Sequence, residues 1–259
     1  MNYKIINSGS DGNAVLINGE ILIDCGVSYK KISDYTKKLK IVLLTHIHCD
    51  HFNESTISML AIKRPGLRFA CGEWLKDKLI ACGVAQKNID ILTFEQLYDY
   101  GLFKLSIFEL FHDVPQCGYK IFANGKKLIY ATDTKTLDGV EAKDYDIYLI
   151  EANYENEEEL MGRAVTSDYA ERVKNTHLSK EYAVDWLIKN MSDSSIFEFM
   201  HQHKEKHIAR RFMYIEPILE EVSQITSKDY ALDDNSIQQA MSDLLNEYNK
   251  LKEYYGSQR

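Results

Sequence analysis

Proline is scarce in this chain: three residues, Pro65, Pro115 and Pro217, among 259. No Pro-rich or low-complexity linker divides the chain, and no internal repeat is visible, which excludes a solenoid or a string of tethered modules. Cysteine is also sparse. Cys25, Cys49, Cys71, Cys82 and Cys117 are odd in number and show no CxxC spacing; a chain of this length needs no disulfide scaffold, and reduced thiols are expected. No apolar run approaches the ~20 residues of a membrane-spanning helix. The opening MNYKIINSGSDG lacks the apolar stretch of a signal peptide, so a cytoplasmic protein with no membrane partner is expected. Positive charge is in deficit, with 31 Lys and Arg against 39 Asp and Glu, a net −8. That balance excludes indiscriminate coating of duplex DNA and leaves room for a nuclease with a local basic groove.

What is present reads as alternating strands and helices. Lys4 to Asn7, Ala14 to Ile17 and Ile21 to Asp24 are strand-like, with the turn Ser8-Gly9-Ser10-Asp11-Gly12-Asn13 between the first two. Ile41-Val42-Leu43-Leu44 is a wholly apolar run of the kind found in buried strands. Helical patterns follow at Glu54 to Lys63 and Glu73 to Ala81, with a strand at Leu67 to Cys71 between them. Tyr98 to Tyr130 reads as all β, including a strand Phe103 to Phe111 and a hairpin across Asn124-Gly125. A strand at Asp146 to Ile150, a helix capped by Ser179 and a strand Ile196 to Met200 close the series. Two β layers with helices packed outside are expected.

The tail differs. Residues 216–259 hold nine acidic and four basic residues, and Ile237, Met241, Leu244, Tyr248, Leu251 and Tyr255 recur at alternating spacings of four and three. Such a seam suits a helix lying on its own domain or one pairing in a homodimer. The division is therefore a catalytic domain over 1–215 and a helical extension over 216–259.

The chemistry concentrates in Thr45-His46-Ile47-His48-Cys49-Asp50-His51, directly after the buried strand. Three histidines and a carboxylate on one strand-end loop can converge on metal, with imidazole suited to zinc and its neighbours. The HxHxDH pattern after an apolar strand resembles the metallo-β-lactamase fold, an α/β αββα sandwich. Further landmarks of that superfamily follow in order: Asp24 ending ILID, His112 in HDVPQCGYKI, Asp133 in ATDT and His201 after IFEFM.

The resemblance implies two divalent ions, Zn or Mn, sharing a hydroxide nucleophile. His46, His48 and His112 would hold one, Asp50, His51 and His201 the other, and Asp133 would bridge them. His203 and His207 compete with His201, which fits best because the superfamily places this ligand immediately after a strand. Asp24 reads as an outer residue orienting the loop or a ligand histidine, with a turn residue as the plain alternative.

SGSDGN, HDVPQCGYKI and Asn175-Thr176-His177-Leu178-Ser179 are similar to the YycJ (WalJ) group of phosphodiesterases and exonucleases in this superfamily. Asp11 stands where that group has its second Ser, and His203 follows His201 in place of Leu-Ser. Glu151-Ala152 and His177 resemble the acid–histidine pair of tRNase Z. By that resemblance His177, oriented by Glu151, would protonate the leaving alkoxide; a helix-capping histidine is the plain alternative.

The substrate wall is less legible. Lys204, Lys206, Arg210 and Arg211 form a compact basic cluster, equally suited to gripping phosphates or to a solvated helix face. Tyr119 and Tyr154 are candidates to stack on a base. The run Glu155 to Glu159 reads as a solvated loop, and Cys49 as a small buried filler ahead of a metal contact.

Together these features predict a phosphodiester hydrolase acting on nucleic acid, most simply a nuclease on DNA ends or single strands. The chain is too short for the inserted β-CASP domain of RNA-processing relatives. A cyclic-nucleotide phosphodiesterase is the first alternative. Thioester or lactone hydrolysis is weaker because neither reaction needs the His177-type acid. A metal-stabilised scaffold without activity would not need all seven ligands.

Overall fold

A computed structural model describes residues 1–163 and 166–202. Six strands build the first sheet in chain order: β1 (Tyr3–Asn7), β2 (Ala14–Ile17), β3 (Ile21–Ile23), β4 (Ile41–Leu43), β5 (Arg68–Cys71) and β6 (Ile89–Ile91). The first three pair antiparallel and β3 to β6 run parallel. The second sheet contains β7 (Tyr98–Asp99), β8 (Lys104–Glu109), β9 (Cys117–Ala123), β10 (Lys126–Ala131), β11 (Ile147–Glu151) and β12 (Ile196–Met200), again laid down in chain order. Here β7 to β10 are antiparallel and β10 to β12 parallel.

Strand alternation explains the layers. Ile21 and Ile23 on β3 join Leu105, Ile107, Ile121 and Leu128 from the second sheet in one buried cluster between the sheets. Leu22, Val42 and Phe69 face the other way, against Ile57, Leu60 and Leu79 of helices α2 (Glu54–Lys63) and α3 (Lys76–Ala81), which follow the short α1 (Tyr29–Ile32). On the far side Ile129, Tyr148 and Ile150 pack on Ala183, Trp186 and Leu187. Those three residues belong to α6 (Lys180–Asn190), which follows α4 (Glu157–Arg163) and α5 (Ser167–Thr176). The result is the expected αββα sandwich.

Local signals hold at most ends. Ser179 accepts the Tyr182 amide at 3.1 Å, capping α6. Asn124 and Gly125 both take positive φ, 52° and 69°, as a tight hairpin requires. Three expectations change. The helix expected from Glu73 begins as a 3-10 turn over Glu73–Leu75, with α-helix only from Lys76. The strand expected to reach Phe111 ends at Glu109. The acidic run is not all loop: Glu157 to Glu159 form the first turn of α4, where the helix dipole favours carboxylates.

No helix of the described residues is long and apolar enough to cross a membrane. The 215/216 division, the tail seam, His203, His207 and the cluster Lys204, Lys206, Arg210 and Arg211 lie outside the described residues.

Candidate metal centre

The HxHxDH loop leaves β4 and folds back on itself. The amides of His51 and Phe52 both donate to the His48 carbonyl, at 2.8 and 2.7 Å. Its return limb is clamped by the chain after β3, where the Cys25 amide donates to the His51 carbonyl at 2.9 Å. Close approach there demands glycine: a Cβ on Gly26 would overlap the Asp50 carbonyl.

Asp24 is fully buried behind the loop. Its Oδ1 accepts the Thr45 amide and hydroxyl, both at 2.9 Å, and its Oδ2 accepts the Tyr130 hydroxyl at 3.1 Å. The same Oδ2 lies 2.7 Å from His51 Nδ1, which fixes that ring with Nε2 toward the centre. Asp24, Asp133 and His201 all occupy left-handed backbone, with φ of 58°, 55° and 48°. Each lies within two residues of the C-terminal end of a different strand.

Two groups of side chains converge. The first is His46, His48 and His112, whose donor atoms lie within 4.8 Å of one another. His112 Nδ1 donates to the Thr176 carbonyl at 2.9 Å, leaving its Nε2 lone pair facing His48 Nδ1 at 3.2 Å. The second group is Asp50, His51, Asp133 and His201, also within 4.8 Å. Here His201 Nε2 is 3.1 Å from Asp50 Oδ2, and His51 Nε2 is 2.9 Å from Asp133 Oδ2. The rings of His46 and His51 stand 4.2 Å apart, so the groups abut.

Electrostatics follow the same division. Burial holds the His46 and His112 imidazoles below their ordinary pKa, well below for His46, so these two rings offer lone pairs. In the second group burial also opposes charge, but the carboxylates prevail. Asp133 and Asp24 lift His51 well above 6.5, and Asp133 and Asp50 raise His201 to about 9. Asp133 is held well below the ordinary carboxylate range: burial opposes this, and His201 and His51 outweigh it. A divalent ion fits this donor set. The buried His46 Nε2 has no hydrogen-bond partner among the described residues, an arrangement that is costly unless the lone pair meets a cation.

Beside the second group lies a carboxylate–histidine pair. Glu151, fully buried, holds His177 Nδ1 at 2.6 Å through Oε1, while its Oε2 accepts the amides of Thr134 and Leu178 at 2.9 and 3.2 Å. Burial opposes charge on His177, but Glu151 raises its pKa above 6.5. The His177 ring stacks on His201 at 5.3 Å and 8°, and stands 5.3 Å from His112.

The structure thus brings together His46, His48, Asp50, His51, His112, Asp133 and His201, with Asp24, Glu151 and His177 around them. The proposed base-stacking tyrosines do not belong with them. Tyr119 is fully buried between the sheets and donates to the Leu44 carbonyl at 2.7 Å, which leaves no ring face for a base. Tyr154 is buried against Leu160, Ala170 and Val173. Cys49, expected as buried filler, is exposed. Sequence reasoning missed what the N-terminal turn does. Asn13 Nδ2 lies 2.8 Å from His51 Nε2 and 3.2 Å from the Asp50 carbonyl, and Ser8 Oγ accepts the His201 amide at 2.7 Å. The SGSDGN motif is the signal in the sequence that marks this turn.

Residues 20–197 match a family model described as the β-lactamase superfamily domain. A search of curated proteins finds no match. Among solved structures, human tRNase Z, short form, is 16% identical with a TM-score of 0.61, covering 80% of this chain and 94% of its own. The metallo-β-lactamase fold protein YhfI from Bacillus subtilis is 17% identical at TM-score 0.60, covering 77% and 85%. Zinc-bound PqqB from Methylobacterium extorquens is 14% identical at TM-score 0.58, covering 78% and 89%. The family match spans well over half of the sequence, and the chain belongs to the metallo-β-lactamase superfamily.

Proposed function

We propose that this chain is a cytoplasmic, dinuclear metal-dependent phosphodiesterase, a nuclease acting on DNA ends or single strands. The observation that carries this reading is the Glu151–His177 pair, 2.6 Å apart, beside the two ligand groups. Hydrolysis of a phosphodiester needs an acid for the leaving alkoxide, whereas a thioester expels a weakly basic thiolate that needs none. Two divalent ions, zinc or manganese, would supply an activated water and neutralise the non-bridging oxygens.

The chain's own residues do the rest. Glu151 accepts the Nδ1 proton of His177 and keeps the imidazolium charged, so Nε2 carries the proton that the alkoxide needs. Asp24 fixes His51, the Thr176 carbonyl fixes His112, and Ser8 anchors the His201 backbone, so the donor atoms are ordered before an ion arrives. Zinc in PqqB and the name of tRNase Z agree with this reading.

The test compares the wild type with Asp50→Ala on bis(p-nitrophenyl) phosphate, 5′-labelled single-stranded DNA, RNA and cyclic mononucleotides. Cleavage of the linear substrates by the wild type, lost with one metal equivalent in Asp50→Ala, is expected. Hydrolysis of cyclic compounds alone would replace the nuclease with a second-messenger hydrolase, and an unimpaired Asp50→Ala would remove the site.

A further inference from the structure

Lys76, Lys104, Lys126, Lys174 and Lys180 each pair with a carboxylate. Lys31 and Lys135 are held differently. Lys31 Nζ donates to Asn7 Oδ1 at 3.1 Å, and Lys135 Nζ to Asn175 Oδ1 at 2.8 Å. Both carboxamides are oriented by acceptors on their other side. Asn7 Nδ2 donates to Asp11 Oδ1 at 3.3 Å and to the Gly12 carbonyl, and Asn175 Nδ2 donates to the Glu171 carbonyl at 2.9 Å. Each amide therefore turns its oxygen to the lysine. A neutral oxygen fixes an ammonium without cancelling its charge, and one bond of this kind leaves it further N–H donors.

Both anchors adjoin the centre. Asn7 ends β1 and directly precedes Ser8, whose hydroxyl holds the His201 amide at 2.7 Å. Asn175 lies in the last turn of α5 and directly precedes Thr176, whose carbonyl holds His112 at 2.9 Å. His201 belongs to one ligand group and His112 to the other. One exposed, uncancelled cation is thus fixed beside each group.

We infer that Lys31 and Lys135 grip the two phosphates that flank the scissile one, on a single strand laid across both ligand groups. This rests on the phosphodiesterase reading above. The scissile phosphate is neutralised at the centre, but its neighbours on a strand each bring a charge that must be met outside it. In a chain of net charge −8, cations fixed at the rim supply that attraction locally. A cyclic mononucleotide has one phosphate and can use neither lysine, so this pair belongs to a strand.

The test follows binding of a 5′-labelled phosphorothioate strand of about ten thymidines, which resists cleavage, by anisotropy from about 50 to 200 mM salt. Metal-loaded wild type is compared with Lys31→Ala, Lys135→Ala and the charge-keeping Lys31→Arg and Lys135→Arg. Each alanine variant is expected to bind several-fold more weakly at low salt. Its slope of log affinity against log salt should be shallower by about 0.7, the share of one phosphate contact on a single strand. The arginine variants should keep the slope, which separates a charge effect from a folding defect. Competition by a thymidine dinucleotide, which has a single phosphate, should be equal in every protein. An unchanged slope in either alanine variant overturns the two-sided grip. Equal weakening toward strand and dinucleotide overturns it too, because that marks disturbance of the centre itself. Cleavage of single strands by a wild type whose variants keep its slope leaves the nuclease standing without the grip. A wild type that cleaves no phosphodiester, with variants that lose slope, defeats the nuclease and leaves the grip. A wild type that binds no strand defeats both.

Discussion

The two halves of the centre are built differently. The first sheet delivers His46, His48, Asp50 and His51 on one loop after one strand, bonded to itself and clamped by Gly26 and Asp24. The second sheet delivers His112, Asp133, Glu151 and His201 singly, each at or just past the end of a different strand, and His177 enters from the end of α5. A loop held by mutual bonds fails as a unit. Residues brought in singly fail one at a time, because sheet pairing rather than the neighbouring ligand fixes each position. Substitutions behind the loop should therefore cost folding and metal together, and substitutions on the second-sheet side should cost chemistry first.

Gly26→Ala should break the first half outright. Its Cβ meets the Asp50 carbonyl and the His51 amide, both backbone, so no side chain can rotate away. The expected cost is at or above the roughly 3 kcal/mol end of overpacking penalties. It is read as loss of soluble folded protein, or as a large drop in denaturation midpoint with both metals missing. Recovery of a stable, metal-loaded Gly26→Ala protein would show that the clamp is loose.

Asp24→Ala comes next. It strips a buried carboxylate from His51, Thr45 and Tyr130 and should cost about 3–5 kcal/mol, as removal of one partner from a buried ion pair does. Denaturant unfolding measures that loss, and metal analysis should show the second site depleted more than the first, since His51 is the ring released. Equal depletion of both sites would mean that the loop, rather than His51, is what Asp24 holds.

The same contrast governs what the sequence made legible. A cluster of ligands within one loop is a local pattern, so His46 to His51 stand out without any structure. His112, Asp133, Glu151, His177 and His201 are ordinary residues until a family pattern or a fold brings their strand ends together. Gly26 carries no local signal, because its necessity arises from a backbone that passes it 24 residues later. The place of Tyr119 is legible in the sequence itself. Along β9, Cys117, Tyr119 and Ile121 alternate with Gly118 and Lys120, which places the tyrosine on the inner face. Helix α5 escaped because only Ala170, Val173 and Thr176 of its ten residues are buried, too thin a stripe to read as a period.

On the second-sheet side, His177→Ala should lower kcat by roughly 10²–10⁴-fold while the bound metal stays at the wild-type level. The pH dependence has a definite sign. Glu151 raises the pKa of His177 above 6.5, so the acid form persists past that pH and wild-type activity should fall only as pH climbs through the raised value. The linked stability is complete below the unfolded pKa near 6.5 and is lost over the same climb. Glu151→Gln should move the alkaline limb of the rate profile to lower pH. An unmoved limb would detach the pair from the proton transfer.

Tyr119→Phe should produce the smallest effect and completes the contrast from inside the core. Its hydroxyl donates to the Leu44 carbonyl at 2.7 Å, one residue before the loop begins. Removing it leaves a buried acceptor short of a donor at a cost of about 1–2 kcal/mol, seen as a modest drop in denaturation midpoint. Because the ring packs between the sheets and not in the cleft, KM for a nucleic-acid substrate should stay at its wild-type value. A several-fold rise in KM without a stability change would return Tyr119 to the substrate wall. A fall in metal content would instead show that the strand beneath the loop, and not the loop's own bonds, sets the ligand positions.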